Sequence, residues 1–122
     1  MPEFQPGLVH IRTPTYKRPE ALARALRSMI DQTWPHWVCD VYDDDPGQAA
    51  RHVVEELGDP RIRYTANAPQ LFASRNIDQC FSADNPHGAE FFCVVEDDNF
   101  ILPEFCAANI ALTRALKVEI VL

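Results

Sequence analysis

The stretch Phe91-Phe92-Cys93-Val94-Val95-Glu96-Asp97-Asp98-Asn99 decides the fold. Five apolar residues run without a break into three adjacent carboxylates. The apolar run has no polar alternation, so it reads as a strand buried on both faces. Such strands belong to parallel sheets covered by helices on each side. The acids then fall at the carboxyl end of that strand, where open parallel sheets bind their ligands. Three like charges in a row repel, and a bound cation is the candidate that makes the arrangement tolerable.

Working outward, strands and helices alternate. Leu8-Val9-His10-Ile11-Arg12 reads as a first strand. Pro19 and Glu20 suit the first turn of a helix, with Leu22, Leu26, Met29 and Ile30 on one face. Trp37 to Tyr42 is a second strand. A helix from about Gln48 to Leu57 turns Val53, Val54 and Leu57 inward and stops at Gly58-Asp59-Pro60. Arg61 to Tyr64 alternates like a short strand. A third helix over about 71–81 carries Phe72, Ile77, Cys80 and Phe81 inward, and a polar loop covers 82–88. Pro103 opens a fourth helix whose buried face is expected to hold Phe105, Ala108, Leu112 and Leu116. Val118 to Leu122 reads as a further strand near a sheet edge, and exposed edges invite pairing, so a homodimer or strand exchange is expected. The alternation predicts an α/β fold, a mostly parallel sheet with helices on both faces, in one domain over 1–122.

Composition narrows the function. Hydrophobic residues make up 47% and charged residues 24% of the 122 positions, which fits a folded domain with a real core. A net charge of -7 lacks the basic stripe that a nucleic-acid partner needs. No run approaches the length of a membrane span, and the start, MPEFQPG, does not read as a signal peptide. Cys39, Cys80, Cys93 and Cys106 form no C-x-x-C pair and read as buried free thiols, which suits a reducing cytoplasm. His10, His36, His52 and His87 are scattered without metal-ligand spacing and read as structural or surface residues.

Three segments follow predicted strands: Thr13-Pro14-Thr15-Tyr16-Lys17-Arg18, Asp43-Asp44-Asp45 and Glu96-Asp97-Asp98-Asn99. In a parallel sheet all three share one rim. The chain has only four glycines and no glycine-rich phosphate loop. Carboxylates repel phosphates, but they hold Mg2+ or Mn2+, and those ions bridge to phosphate oxygens. Side chains alternate near a strand end, so one or two of the acids would face the ion and another could reach a ribose hydroxyl.

These residues, in this order, resemble the amino-terminal part of a family 2 glycosyltransferase with a GT-A fold. Pro14-Thr15-Tyr16-Lys17-Arg18 is similar to the family's P-[ST]-Y-N-R turn. Gln32-Thr33-Trp34, Val41-Tyr42-Asp43-Asp44, Gly58-Asp59-Pro60-Arg61-Ile62-Arg63-Tyr64 and Ala73-Ser74-Arg75-Asn76 resemble further family segments. Glu96-Asp97-Asp98-Asn99, followed by Leu102-Pro103-Glu104, resembles the D-x-D motif and its sequel. The resemblance covers about Val9 to Leu122. It implies transfer of a sugar from a nucleotide-diphospho-sugar donor to an acceptor hydroxyl. It places Pro14, Thr15 and Tyr16 at the nucleotide, Asp44 at the base edge, Arg75 at the diphosphate, Asp97 near the ribose and Asp98 on a divalent metal, Mn2+ or Mg2+. That metal would stabilise charge on the leaving diphosphate.

The sequence departs from the pattern at Lys17, at Asp45-Pro46, at Glu96 in the first D-x-D position, and at Ala68-Pro69-Gln70. The family's acceptor half and catalytic base normally lie beyond the last residue here, so no catalytic base is assigned. The expectation is weak, metal-dependent nucleotide binding with little transfer by this polypeptide alone. Two other readings remain: a module that binds nucleotide without turnover, and a Mg2+-binding phosphoacceptor receiver domain. A receiver carries its acid pair after the first strand, whereas this first strand ends in Thr13-Pro14-Thr15.

Overall fold

The computed structural model describes residues 2–117. The predicted strand over Val118 to Leu122, and the edge pairing built on it, lie outside the described residues. Four strands, β1 (Gln5–Thr15), β2 (Trp37–Asp43), β3 (Ile62–Ala66) and β4 (Ala89–Val94), alternate with four helices, α1 (Pro19–Ile30), α2 (Arg51–Leu57), α3 (Phe72–Cys80) and α4 (Phe105–Leu116). The sheet order is β3-β2-β1-β4, and every pairing is parallel. Each described element type expected from the sequence is present. β1 is longer than predicted, and α2 begins three residues later because Gln48 takes a positive φ.

Alternation along the strands sorts the two faces. Val9, Ile11, Trp37, Cys39, Val41 and Ile62 point to one side and form the main core. Leu22, Leu26 and Met29 of α1, Val53 and Val54 of α2, and Cys106 and Ile110 of α4 pack into the same cluster. The other side carries His10, Arg12 and Asp40, all buried. α3 covers that face: the Asn76 amide donates to the Tyr42 carbonyl at 3.2 Å, and Arg12 donates to the Cys80 carbonyl at 2.9 Å. Gly58 ends α2 in the left-handed region, as its predicted stop requires.

Three predicted burial patterns are corrected. β4 is an edge strand of the described sheet and its run is buried on one face; Phe92 is 50% exposed. α3 lies over β1, so the Arg12 guanidinium, 4.3 Å from the Phe92 ring centre, is what covers this part of β4. On α3, Phe72 and Phe81 are exposed, while Asn76 and Cys80 are buried. On α4, Phe105, Ala108, Leu112 and Leu116 face outward, and Cys106 and Ile110 face the sheet. α4 is apolar almost all round, so helical periodicity fits two faces and cannot choose between them. The four cysteines are free thiols, three buried and Cys93 partly so. Burial raises Cys80 and Cys93 to about 12 and Cys106 to about 11.

Candidate functional site

β1, β2 and β4 deliver their carboxyl ends to one rim. The Asp44 N–H donates to the Thr15 carbonyl at 3.0 Å, and the Val95 N–H donates to the Arg12 carbonyl at 3.1 Å. Between this rim and the start of α3 lies a cavity of about 370 Å³. Pro14, Thr15, Tyr16, Arg18, Asp44 and Asp97 line its polar side; Phe72, Ala73 and Ile77 supply an apolar wall from α3. Asp98 stands beside it, joined through the Arg18 guanidinium. Asp44 and the Asp97–Asp98 pair therefore share one lip. Arg75 lies on the exposed surface of α3 and is not among the lining residues.

The three consecutive aspartates have separate tasks. Asp43 points to the core side, where its carboxylate accepts from the Tyr64 hydroxyl at 2.7 Å and from the Asp45 N–H at 3.0 Å. Burial, then the Asp43 carboxylate, push the Tyr64 hydroxyl well above its ordinary value. Asp45 accepts from the N–H groups of Gly47 and Ala49 and shapes the turn before α2. Asp44 points to the α3 side. Its Oδ1 accepts from the Asn67 amide at 3.0 Å and the Leu71 N–H at 2.7 Å, and its Oδ2 from the Phe72 N–H at 2.7 Å. Phe72 has φ 68°, unusual for a bulky residue, and Asp44 holds that turn in place. Burial works to raise the Asp44 pKa, but these donors, with Gln70, outweigh it and hold the carboxyl below its ordinary value. Asn67 and Asn76 extend the hold: the Asn67 amide also donates to Asn76 Oδ1 at 3.0 Å.

Across the cavity, the Thr15 hydroxyl donates to Asp97 Oδ2 at 2.9 Å, tying β1 to the loop after β4. Asp97 is buried, at 4% exposure. Arg18 Nη1 lies 3.7 Å from Asp97 Oδ1 and 3.5 Å from Asp98 Oδ2. The site thus presents a cavity with an apolar wall, one fixed carboxylate at the β2 end, and an oxygen-rich pair at the β4 end. Sequence reasoning gave no role to Arg18 or Asn67. Arg18 was legible as part of the quoted turn; Asn67, in the loop after β3, carried no signal.

A second cluster was missed. His10 Nε2 and His87 Nε2 lie 2.7 and 2.8 Å from the same Asp40 Oδ2, 77 residues of chain apart at their extremes being closed by the fold. These side chains offer three metal-type ligands within 4.8 Å of one another. Arg12 Nε donates to His10 Nδ1 at 3.2 Å, which leaves the His10 proton on Nε2, donated to Asp40. The remaining Arg12 N–H groups reach the carbonyls of Cys80, Ser82 and Asp84. With its hydrogen bonds satisfied and a guanidinium against His10, the cluster works as a clasp on the 82–88 loop. Burial opposes ionisation of Asp40, but hydrogen bonds from His10 and His87 prevail and lower its pKa.

Among the described residues no helix is long and apolar enough to cross a membrane. The family model for Glycosyl transferase family 2 matches residues 11–121. No curated protein sequence matches the chain significantly. Among solved structures, TarS from S. aureus aligns with a TM-score of 0.69 at 18% identity, over 88% of this chain and 19% of TarS. The TarS 1–349 fragment in complex with UDP-GlcNAc gives 0.69 at 18% identity, over 88% of this chain and 31% of that one. The mannosyltransferase PcManGT from Pyrobaculum calidifontis, in complex with GDP-Man and Mn2+, gives 0.69 at 12% identity, over 86% of this chain and 32% of that one. The chain therefore spans less than a third of the length of these structures.

Proposed function

Because the chain belongs to glycosyl transferase family 2, we propose that it forms the donor-binding domain of a metal-dependent enzyme transferring sugar from a nucleotide-diphospho-sugar to an acceptor hydroxyl. Its four-stranded parallel α/β sheet has the GT-A fold of the neighbouring structures. One observation carries the reading: Thr15, Asp44 and Asp97 come from three separate strand ends and line one cavity of about 370 Å³, a size that suits a nucleotide-scale ligand.

The residues present fit a hard divalent ion. Asp98 is the proposed ligand, with Asp97 beside it, and the guanidinium between their oxygens marks a point that favours positive charge. When bound, Mn2+ or Mg2+ would act as a Lewis acid toward the diphosphate. The chain's own residues bind and orient. Pro14, Thr15 and Tyr16 border the nucleotide. Asp44 is fixed by its three donors and serves the base edge, while Thr15 fixes Asp97 for the ribose. Arg75 is proposed to approach the diphosphate from the outer surface of α3. No catalytic base is assigned. Residues 1–122 are proposed as one donor-binding domain, and the free thiols support a cytoplasmic location.

Isothermal titration of the 122-residue chain with UDP and GDP, with and without Mn2+, tests the proposal. The expected result is nucleotide binding strengthened by Mn2+ and weakened by Thr15→Val. Failure of both nucleotides to bind in the presence of Mn2+ overturns it.

A further inference from the structure

The strongest unassigned feature is the placement of Arg18. Asp97 Oδ2 is committed to the Thr15 hydroxyl, which leaves Oδ1 as its free acceptor. That oxygen and Asp98 Oδ2 both face a single guanidinium nitrogen, Arg18 Nη1, at 3.7 and 3.5 Å. One nitrogen between two carboxylate oxygens stands where a shared cation would. Both separations exceed ordinary hydrogen-bond lengths, so the hold is Coulombic and loose. The Arg18 side chain is 57% exposed, and the residue precedes Pro19 at the first turn of α1, outside regular structure. Lys17, its neighbour, lies instead over the Tyr16 ring at 5.3 Å.

From this geometry we infer that Arg18 is the resident counter-ion of the Asp97–Asp98 pair, and that a divalent cation binding there must displace it. The inference rests on the reading of Asp98 as a metal ligand. A guanidinium and a divalent ion repel strongly at contact distance, so the two occupants exclude each other. Arg18 offsets one of the pair's two negative charges when no metal is bound, and it lowers the apparent metal affinity by competing for the same oxygens. Once displaced, the guanidinium stays at the rim of the cavity it already lines. There a planar fork of donors suits phosphate oxygens, so the residue passes from the acids to the donor as the metal arrives.

The test is a Mn2+ titration of the 122-residue chain, read as free Mn2+ by electron paramagnetic resonance, in the absence of nucleotide. Wild type is compared with Arg18→Gln, Asp98→Asn and Arg24→Gln, the last removing an equal charge from an exposed position on α1. Loss of a competing charge from the largely exposed Arg18–Asp98 contact should tighten Mn2+ binding by about 3- to 10-fold in Arg18→Gln, with Arg24→Gln unchanged and Asp98→Asn weakened. If Asp98→Asn weakens binding while Arg18→Gln leaves it unchanged or weaker, the counter-ion proposal fails and the metal site stands. Equal tightening in Arg18→Gln and Arg24→Gln also overturns it, since net charge alone then explains the gain. Should Asp98→Asn leave Mn2+ binding unaltered, or wild type bind none, the metal reading fails and takes the proposal with it.

Discussion

Asp44→Asn should be costly although the two side chains are nearly isosteric. The wild-type carboxylate is 2% exposed and accepts three hydrogen bonds at 3.0, 2.7 and 2.7 Å. Hydrogen bonds to a charged partner contribute about 1.5–3 kcal/mol each, against about 0.5–1.5 for neutral ones. In the asparagine variant two bonds survive in weakened form at the retained oxygen, at a loss of about 1 kcal/mol apiece. At the third the new amide meets the Phe72 N–H donor to donor, and a buried unsatisfied group costs about 1–3 kcal/mol. The total is about 3–5 kcal/mol, a large share of a domain's typical 5–15 kcal/mol. The midpoint of thermal unfolding should fall by about 12–20 °C.

The pH dependence gives the sharper check. The folded-state pKa of Asp44 is depressed, so its stabilisation is complete above the unfolded value of about 3.9. It disappears as pH drops through the lower folded value. Urea unfolding of both proteins from pH 7 to pH 3 should show a gap that is constant near neutrality and begins to narrow below about pH 4, by at most about 1.4 kcal/mol per pH unit. Asp40 titrates in the same region, but it is common to both proteins and cancels in the difference. A gap under about 0.5 kcal/mol at pH 7, the range of ordinary surface substitutions, would refute the assigned role of Asp44. So would a gap that does not change with pH.

Asp40→Asn removes the charge that receives His10 and His87, and should destabilise the chain by about 2–4 kcal/mol by loosening the 82–88 loop; backbone hydrogen exchange at Ser82 and Asp84 should accelerate more than exchange in α1. Since Asp40 is depressed when folded, that difference too should fade as pH falls below about 4. Ile110→Ala should cost about 2–4 kcal/mol as a core truncation, whereas Leu112→Lys on the exposed face should stay within about 0.5 kcal/mol in urea unfolding; the reverse order would restore the face expected from sequence. Thr15→Val deletes the 2.9 Å bond to the buried Asp97 carboxylate and should cost about 1.5–3 kcal/mol of stability, together with a measurable loss of Mn2+-dependent UDP affinity by calorimetry.

The fold was readable because its signals were redundant. Pro19 and Glu20 mark the start of α1, Gly58 marks the end of α2, and the run into Glu96 marks the carboxyl end of β4; each agrees with a parallel alternation. The faces of α3 and α4 were not readable. Both helices carry large apolar residues on more than one side, and which side is covered depends on tertiary contacts. For α3 the deciding contacts are polar: Asn76 reaches the Tyr42 carbonyl, Arg12 caps the helix end at Cys80, and Phe72 and Phe81 are left outside. A hydrophobic pattern cannot register a helix that is docked by amides and a guanidinium. The same blindness hid His10, Asp40 and His87, which are neighbours only because parallel strands bring residues 10 and 40 alongside and the loop before β4 returns over them.

The site itself was legible at the level of segments and not of atoms. Asp43-Asp44-Asp45 looks in sequence like one acidic cluster, yet strand alternation turns Asp43 into the core against Tyr64 and Asp44 toward α3. Glu96-Asp97-Asp98 divides similarly: Asp97 is buried and tied to Thr15, and Asp98 is left open to solvent. Asp43, Asp44, Asp45 and Asp97 each accept hydrogen bonds from donors of their own, while Asp98 has only the loose Coulombic hold of Arg18. Thr15 donates to Asp97 and Arg18 lies between Asp97 and Asp98; on the proposed reading a divalent ion would replace only Arg18, the more exposed of these two supports. On the proposed reading, metal dependence is a property of Asp98 and Arg18 together, and Mn2+ should raise folding stability only as far as its own affinity for the folded chain supplies.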